Sequence, residues 1–222
     1  MTQAVDIDDG RARIPMTAFD HQGFRHWVRS GELPPGVVVS FVAGEVLIEM
    51  SPAATESHNK PKTKVTAALD RLITERDLGE AYSDRTLLTN AAAELSTEPD
   101  FLYASWEAFE SGRLQLIERA RGDDYVELEG TPDLVIEIVS DTSKRKDEVL
   151  LRERYHRAGI PEYWLIDARG ELSFRILCHT DDGYAASAPD GEPQRSDVLG
   201  VTFSLTREKN RLGRWTYALF TV

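Results

Sequence analysis

Glu137 interrupts the apolar run Leu134-Val135-Ile136-Glu137-Ile138-Val139, and this lone carboxylate constrains the fold more than any other feature. The run is rich in β-branched residues, opened by Thr131-Pro132-Asp133 and closed by Ser140-Asp141. That pattern reads as a buried strand in a sheet covered on both faces. An ionised Glu inside such a strand costs several kcal/mol unless a cation, a metal or strong donors compensate it. A functional role is therefore expected for Glu137, the alternative being a strand-end position or a pairing with a nearby Arg.

The remaining patterns place this strand in a single α/β domain with a mixed sheet. A loose tail is expected over residues 1–15 and one domain over 16–222, since 222 residues suit one sizeable core better than two. Phe19 to Ser30 has helical spacing, and Val37 to Val42 with Val46 to Met50 flank Ala43-Gly44-Glu45 as an N-terminal β-hairpin closed by Ser51-Pro52. Thr55 to Arg76 predicts the longest helix. Tyr82 to Asn90 and Asp100 to Tyr103 predict strands, and 105–130 a helix-and-hairpin excursion. Asp147 to Ala158 predicts a helix stopped by Gly159, leading to the strand Tyr163 to Asp167. Strand, helix and strand form a crossover that makes the two strands parallel neighbours. Leu172 to Cys178 and Gly183 to Ala186 continue a meander, and Trp215 to Phe220 ends a C-terminal β extension.

Composition removes several classes of function. Cys178 is the single cysteine, so no intrachain disulfide or multi-cysteine zinc site forms. No run approaches the roughly 18 apolar residues of a membrane span, and the opening residues have neither a basic nor an apolar leader segment. A cytoplasmic protein without a membrane partner is expected. A phosphate-binding glycine loop, a Ser/His/Asp triad and a His-x-x-x-His helix are missing. The net charge of −12 argues against a broad polyanion binder, yet Lys60, Lys62, Lys64 and Lys144-Arg145-Lys146 form local basic patches.

Two Pro-Asp pairs supply candidate partners for Glu137. Four residues along a strand span about 13 Å, so Asp133 lies too far from Glu137 to share an ion and is read as opening the strand. Asp100 opens a different strand and can lie beside Glu137 at about 5 Å, a spacing that suits two carboxylates on one hard divalent cation. Mg²⁺ keeps several waters and needs no His cluster.

The segments Gly44-Glu45-Val46 to Met50-Ser51-Pro52, His58-Asn59, Pro99-Asp100, Pro132 to Ser140 and Tyr155 to Asp167 resemble the Uma-two family of restriction endonucleases, in the PD-(D/E)XK nuclease superfamily. The resemblance spans about residues 16–222 and is most specific over Pro132 to Asp167. It implies a restriction-endonuclease-like core, a central mixed sheet flanked by helices, and a Mg²⁺-dependent endonuclease site with Mn²⁺ as a substitute. Asp100, Glu137 and the main-chain carbonyl of Ile138 would hold the metal, and a metal-activated water would attack the phosphorus. Nucleic acid is the expected partner, with DNA the first expectation and RNA left open by the sequence, and a homodimer is expected by analogy with restriction-type nucleases.

One position departs from the pattern. The superfamily Lys, two residues after the Glu, is Val139 here, and the family position four residues after the helix Asp is Leu151. Lys146 is the expected replacement, ahead of Lys144 and Arg152, with Lys62 as a second-choice donor. His58, Lys62, Lys144 and Arg152 are the expected substrate contacts. Tyr155, Tyr163 and Trp164 are expected in the core. The missing Lys keeps open a degenerate nuclease fold that serves as a binding or dimerisation module, and the acidic charge keeps open a smaller phosphorylated or nucleotide substrate.

Overall fold

Every residue of the Glu137 strand is buried, because both faces of its sheet are covered. The computed structural model describes residues 3–7, 10–33, 36–49, 52–119 and 123–222, with the backbone alone described before Ile14. Where a loose tail is expected, β1 (Gln3–Ile7) and β2 (Gly10–Ile14) pair as an antiparallel hairpin. A 3₁₀ turn, Met16–Phe19, leads to α1 (His21–Arg29), whose Asp20 cap accepts a hydrogen bond from the Gly23 N–H at 2.8 Å. Phe24 and Trp27 of α1 pack with Phe41 and Val39 of β3 (Val38–Val42). Its hairpin partner β4 (Glu45–Glu49) follows a turn in which Ala43 and Gly44 both have positive φ, 57° and 83°. Such two-residue turns match the twist of the paired strands. Met50 and Ser51, expected at the hairpin's end, lie outside the described residues.

The long helix begins differently from its sequence expectation. Thr55–Asn59 forms a π-helical turn, and α2 (Lys60–Glu75) continues from it with Pro61 in its first turn. Next, the single strand expected over Tyr82 to Asn90 divides into β5 (Gly79–Ser83) and β6 (Leu88–Asn90). Asp84 and Arg85, with φ of 22° and 64°, turn the chain between them and send the two halves into different sheets. Beyond β6 come β7 (Leu95–Thr97), β8 (Phe101–Ser105), α3 (Trp106–Glu110), β9 (Leu114–Glu118) and β10 (Tyr125–Gly130).

The Glu137 strand is β11 (Leu134–Ile138). A π-helical segment, Lys146–Leu151, runs into α4 (Arg152–Arg157), where one regular helix is expected. β12 (Glu162–Asp167) then lies parallel to β11, in register Leu134 with Glu162, as the crossover predicts. β13 (Ser173–Thr180) and β14 (Gly183–Ala186) complete the meander. β15 (Gln194–Ser196), β16 (Val201–Lys209) and β17 (Trp215–Thr221) form the C-terminal extension.

Among the described residues the central sheet has the order β14-β13-β12-β11-β8-β5, and β11 with β12 is its parallel pair. A second sheet has the order β4-β3-β7-β6-β10-β9. Side chains alternate across β11. Leu134, Ile136 and Ile138 face a core shared with Val65, Leu69 and Ile73 of α2 and with Phe203 and Leu205 of β16. Val135 packs with Leu151, Tyr155 and Tyr163, and with Leu88, Leu95 and Leu128 of the second sheet. Glu137, two residues from Val135, shares that second face. Mixed sheets flanked by helices, with an N-terminal hairpin and a C-terminal β extension, are the architecture expected from the sequence. No helix among the described residues is long and apolar enough to cross a membrane.

Candidate active site

Asp100 and Glu137 meet because β8 and β11 are antiparallel neighbours whose last bridged pair is Phe101 with Ile136. One step beyond that pair, Asp100 stands opposite Glu137. Its Oδ2 accepts the Ile138 N–H at 2.8 Å and lies 3.3 Å from His58 Nε2, while its Oδ1 accepts Lys62 Nζ at 3.1 Å. Lys62 also donates to Asp84 at 2.8 Å. Burial alone would push the Asp100 pKa up, but His58, Lys62 and the Ile138 amide outweigh it and hold it below the usual range. The same pairing raises His58 and Lys62 against the opposing effect of burial. Asp100 is thus an ionised carboxylate in a basic cradle.

Glu137 has the opposite environment. It is 3% exposed, and its Oε1 accepts the Tyr155 hydroxyl at 2.6 Å, while Oε2 has no hydrogen-bond partner among the described residues. Burial pushes its pKa well up, and Asp147 and Asp100 add to the rise against the pull of Lys146. Asp147 is 1% exposed, its Oδ2 takes the Ser143 hydroxyl, and its buried Oδ1 has no hydrogen-bond partner. Burial pushes Asp147 up to about 7, opposed by Lys146 and Ser143. The Lys146 ammonium pairs with Glu49 of β4 and lies 3.8 Å from Asp147 Oδ1. These carboxylates keep that amine protonated despite its burial.

Apart from the fully buried Tyr155, these groups open into one cleft of about 630 Å³, lined by seven carboxylates against three basic side chains and His58. Glu98, on the same wall, is pushed up by burial. The buried Asp147 Oδ1 without a donor and the unpartnered Glu137 Oε2, in a cleft short of positive charge, fit a divalent cation. Among the described residues no group of three or more His, Cys, Asp or Glu side chains is gathered to hold an ion alone, so an ion here keeps water in its shell.

Asp100, Glu137, Ile138, His58, Lys62 and Lys146, all expected at the site, line this cleft together. Ile138 contributes its N–H to Asp100. Lys144 is exposed and outside the lining, in the helical turn that runs into the π-helical segment. Arg152 is a correction to the expected substrate contacts: it donates to the Tyr184 carbonyl at 2.8 Å, on the side of the helix that packs on β14. Leu151, at the position where the family carries Lys, is fully buried in the core. Asp147, Glu49 and the hydroxyl of Tyr155 were not expected here. Asp147, Leu151 and Tyr155 recur every four residues, so one helical face carries all three toward β11, and that spacing was a readable signal. Asp133 is structural, holding Arg113 at 2.6 Å and the Ser105 N–H at 2.7 Å.

Comparison with known proteins gives the family and the fold. The family model Uma2, described as "Putative restriction endonuclease", matches residues 24–208. No curated protein matches the sequence. Among solved structures, the fold is similar to that of a "putative nuclease belonging to DUF820" from Anabaena variabilis, with a TM-score of 0.61 and 15% identity over 82% of this chain and 90% of that one. The family match takes in β8, β11, the π-helical segment and β12, and so every residue of the cleft described above: the chain belongs to the Uma2 family.

Proposed function

We propose that this cleft hydrolyses phosphodiester bonds of nucleic acid, with DNA as the substrate and Mg²⁺ as the ion, Mn²⁺ substituting. The observation that carries the reading is the pair Asp100 and Glu137, presented side by side by adjacent strands in a cleft deficient in positive charge. Asp100, Glu137 and the Ile138 carbonyl would hold the ion. Such an ion offsets the charge that builds on the phosphate oxygens and makes water a better nucleophile. His58 and Lys62 keep Asp100 ionised and oriented. Lys146 holds an ammonium in the cleft beside Asp147 and Glu49, where it can neutralise phosphate charge and orient water in the role of the Lys absent at Leu151. A homodimer would bring two such clefts to the two strands of a duplex.

The buried Leu151, and a Lys146 already paired with Glu49, favour as second reading a degenerate nuclease fold that binds without cutting. Calorimetry with Mg²⁺ and Mn²⁺ on wild type, Asp100→Asn and Glu137→Gln separates the two. The nuclease reading expects binding to wild type that weakens at least tenfold in both variants. No binding to wild type removes its physical basis.

A further inference from the structure

We propose that the tip of the β16–β17 hairpin is an arm that grips the phosphate backbone of duplex nucleic acid beside the cleft. The inference takes from the proposed function only that the substrate is nucleic acid. In a chain of net charge −12, the segment Arg207-Glu208-Lys209-Asn210-Arg211-Leu212-Gly213-Arg214 carries four cationic side chains against one acid. Lys209, Arg211 and Arg214 are exposed, and among the described residues no carboxylate lies within ion-pair distance of any of them. Leu212, at the tip, is 67% exposed. Unpaired cations crowded on one narrow ribbon repel one another, a cost that a polyanion turns into binding energy.

The arm is held rigidly. Arg207 Cζ and Lys209 Nζ sit 4.4 and 3.6 Å from the centroid of the Trp215 ring. The Arg207 guanidinium also donates to the carbonyls of Ala168 and Gly170, at 3.2 and 2.5 Å. At the turn, Asn210 Oδ1 accepts the N–H groups of Leu212 and Arg214, at 2.9 and 3.1 Å, and Gly213 has a φ of 70°. These contacts fix the ribbon and the turn that carry Arg211 and Arg214, so little backbone entropy is lost when the tip meets phosphates.

Its position relative to the cleft is also fixed. The Trp215 N–H donates to Glu56 at 2.9 Å, and the Trp215 carbonyl accepts Lys60 Nζ at 2.9 Å. The Tyr217 hydroxyl donates to the Glu56 carbonyl at 3.0 Å. Glu56 and Lys60 each lie two residues from a side chain that holds Asp100, namely His58 and Lys62. The turn that orients the site therefore also anchors the arm. A rigid β-ribbon with cations on its flanks suits the backbone of a duplex, whose phosphates are regularly spaced.

The test is binding of a fluorescent DNA duplex of about 30 base pairs without divalent ions, over a salt series starting near 50 mM. Arg211→Gln/Arg214→Gln should weaken binding at least tenfold, with a slope of log affinity on log salt shallower by about 1.8, from about 0.9 per lost phosphate contact. The control Arg71→Gln/Arg76→Gln removes the same charge from exposed positions near and just past the C-terminal end of α2 and should bind as wild type. Both variants change exposed positions, so unaltered thermal melting is expected of each. Wild-type binding by the arm variant, an equal loss in the control, or arm-dependent binding to phosphatidylserine vesicles with none to the duplex overturns the inference. Wild type in Mg²⁺ separates the arm from the chemistry: a wild-type protein that binds duplex through the arm but never cuts refutes the nuclease reading and leaves the arm standing, whereas Glu137→Gln should keep the arm's binding and lose cleavage.

Discussion

The Tyr155 hydroxyl donates to Glu137 Oε1 at 2.6 Å, joining α4 to the strand it crosses over. The Tyr155 side chain is fully buried and outside the cleft lining, so its hydroxyl cannot exchange this bond for one to water. Tyr155→Phe leaves a buried carboxyl oxygen without its donor. The expected cost is about 1–3 kcal/mol of unfolding free energy, read by urea titration in EDTA. A variant as stable as wild type would mean that the bond contributes nothing to holding the helix on the sheet.

Asp147 makes the metal-free protein sensitive to pH in an unusual direction. Its folded pKa of about 7 lies above the ordinary value near 4, so between those limits the folded state binds more protons than the unfolded one. The resulting stability is fully present below about pH 4 and is lost as pH rises through 7. Glu137, also raised, acts in the same sense, whereas depressed Asp100 contributes stability that is lost only as pH falls through its low folded pKa. Asp147→Asn should therefore be more stable than wild type near pH 8, by on the order of 2–4 kcal/mol, with the gap closing toward about pH 4. Denaturation midpoints in EDTA across that range check this, and a gap that widens at low pH contradicts it.

Lys146 is the ammonium expected to act in place of the absent Lys at Leu151. Lys146→Met should lower metal-dependent cleavage by about 10²-fold or more while leaving metal affinity within a fewfold of wild type. Lys146→Arg, which keeps the charge, should retain part of the rate. Equal rates for wild type and Lys146→Met would remove Lys146 from the chemistry.

Away from the cleft, Arg25 of α1 clamps Glu127 and Glu129 of β10, with Nε 2.8 Å from Glu127 Oε1 and Nη2 2.8 Å from Glu129 Oε2. The Glu127 side chain is fully buried, and Arg29, 3.3 Å away, is its other partner. Arg25→Met strands most of that charge, so a loss of about 2–4 kcal/mol is expected, moderated by Arg29. Thermal melting of the variant reads it directly, and a loss under about 0.5 kcal/mol would place the pair among ordinary surface bridges.

The parts of the fold legible in the sequence are those where burial writes a continuous pattern. The β11 run, its crossover helix and the β12 run are dense in apolar residues, and the chain direction through them follows from connection rules. The β5–β6 division was hidden because Asp84 and Arg85 take positive φ without a glycine to announce it. β16 carries a legible strand signal, since Val201, Phe203 and Leu205 alternate cleanly into the core. The π-helical turns at Thr55–Asn59 and Lys146–Leu151 carry no periodicity signal of their own, and both flank the cleft, where such irregular helix geometry concentrates. At the site, strand spacing excludes Asp133 and admits Asp100 as the partner of Glu137, while the adjacency of their strands is visible only in the sheet order. The Glu49 contact of Lys146 was not legible, because it joins β4 to the start of the π-helical segment, 97 residues apart, and no local pattern connects them.

The most direct test is nicking of supercoiled DNA in Mg²⁺ and in Mn²⁺ by wild type beside Glu137→Ala and Asp100→Ala. The account predicts metal-dependent nicking by wild type that falls to background in both variants. An inactive wild type, or equal nicking by all three proteins, would contradict it and leave the cleft to the binding-module reading.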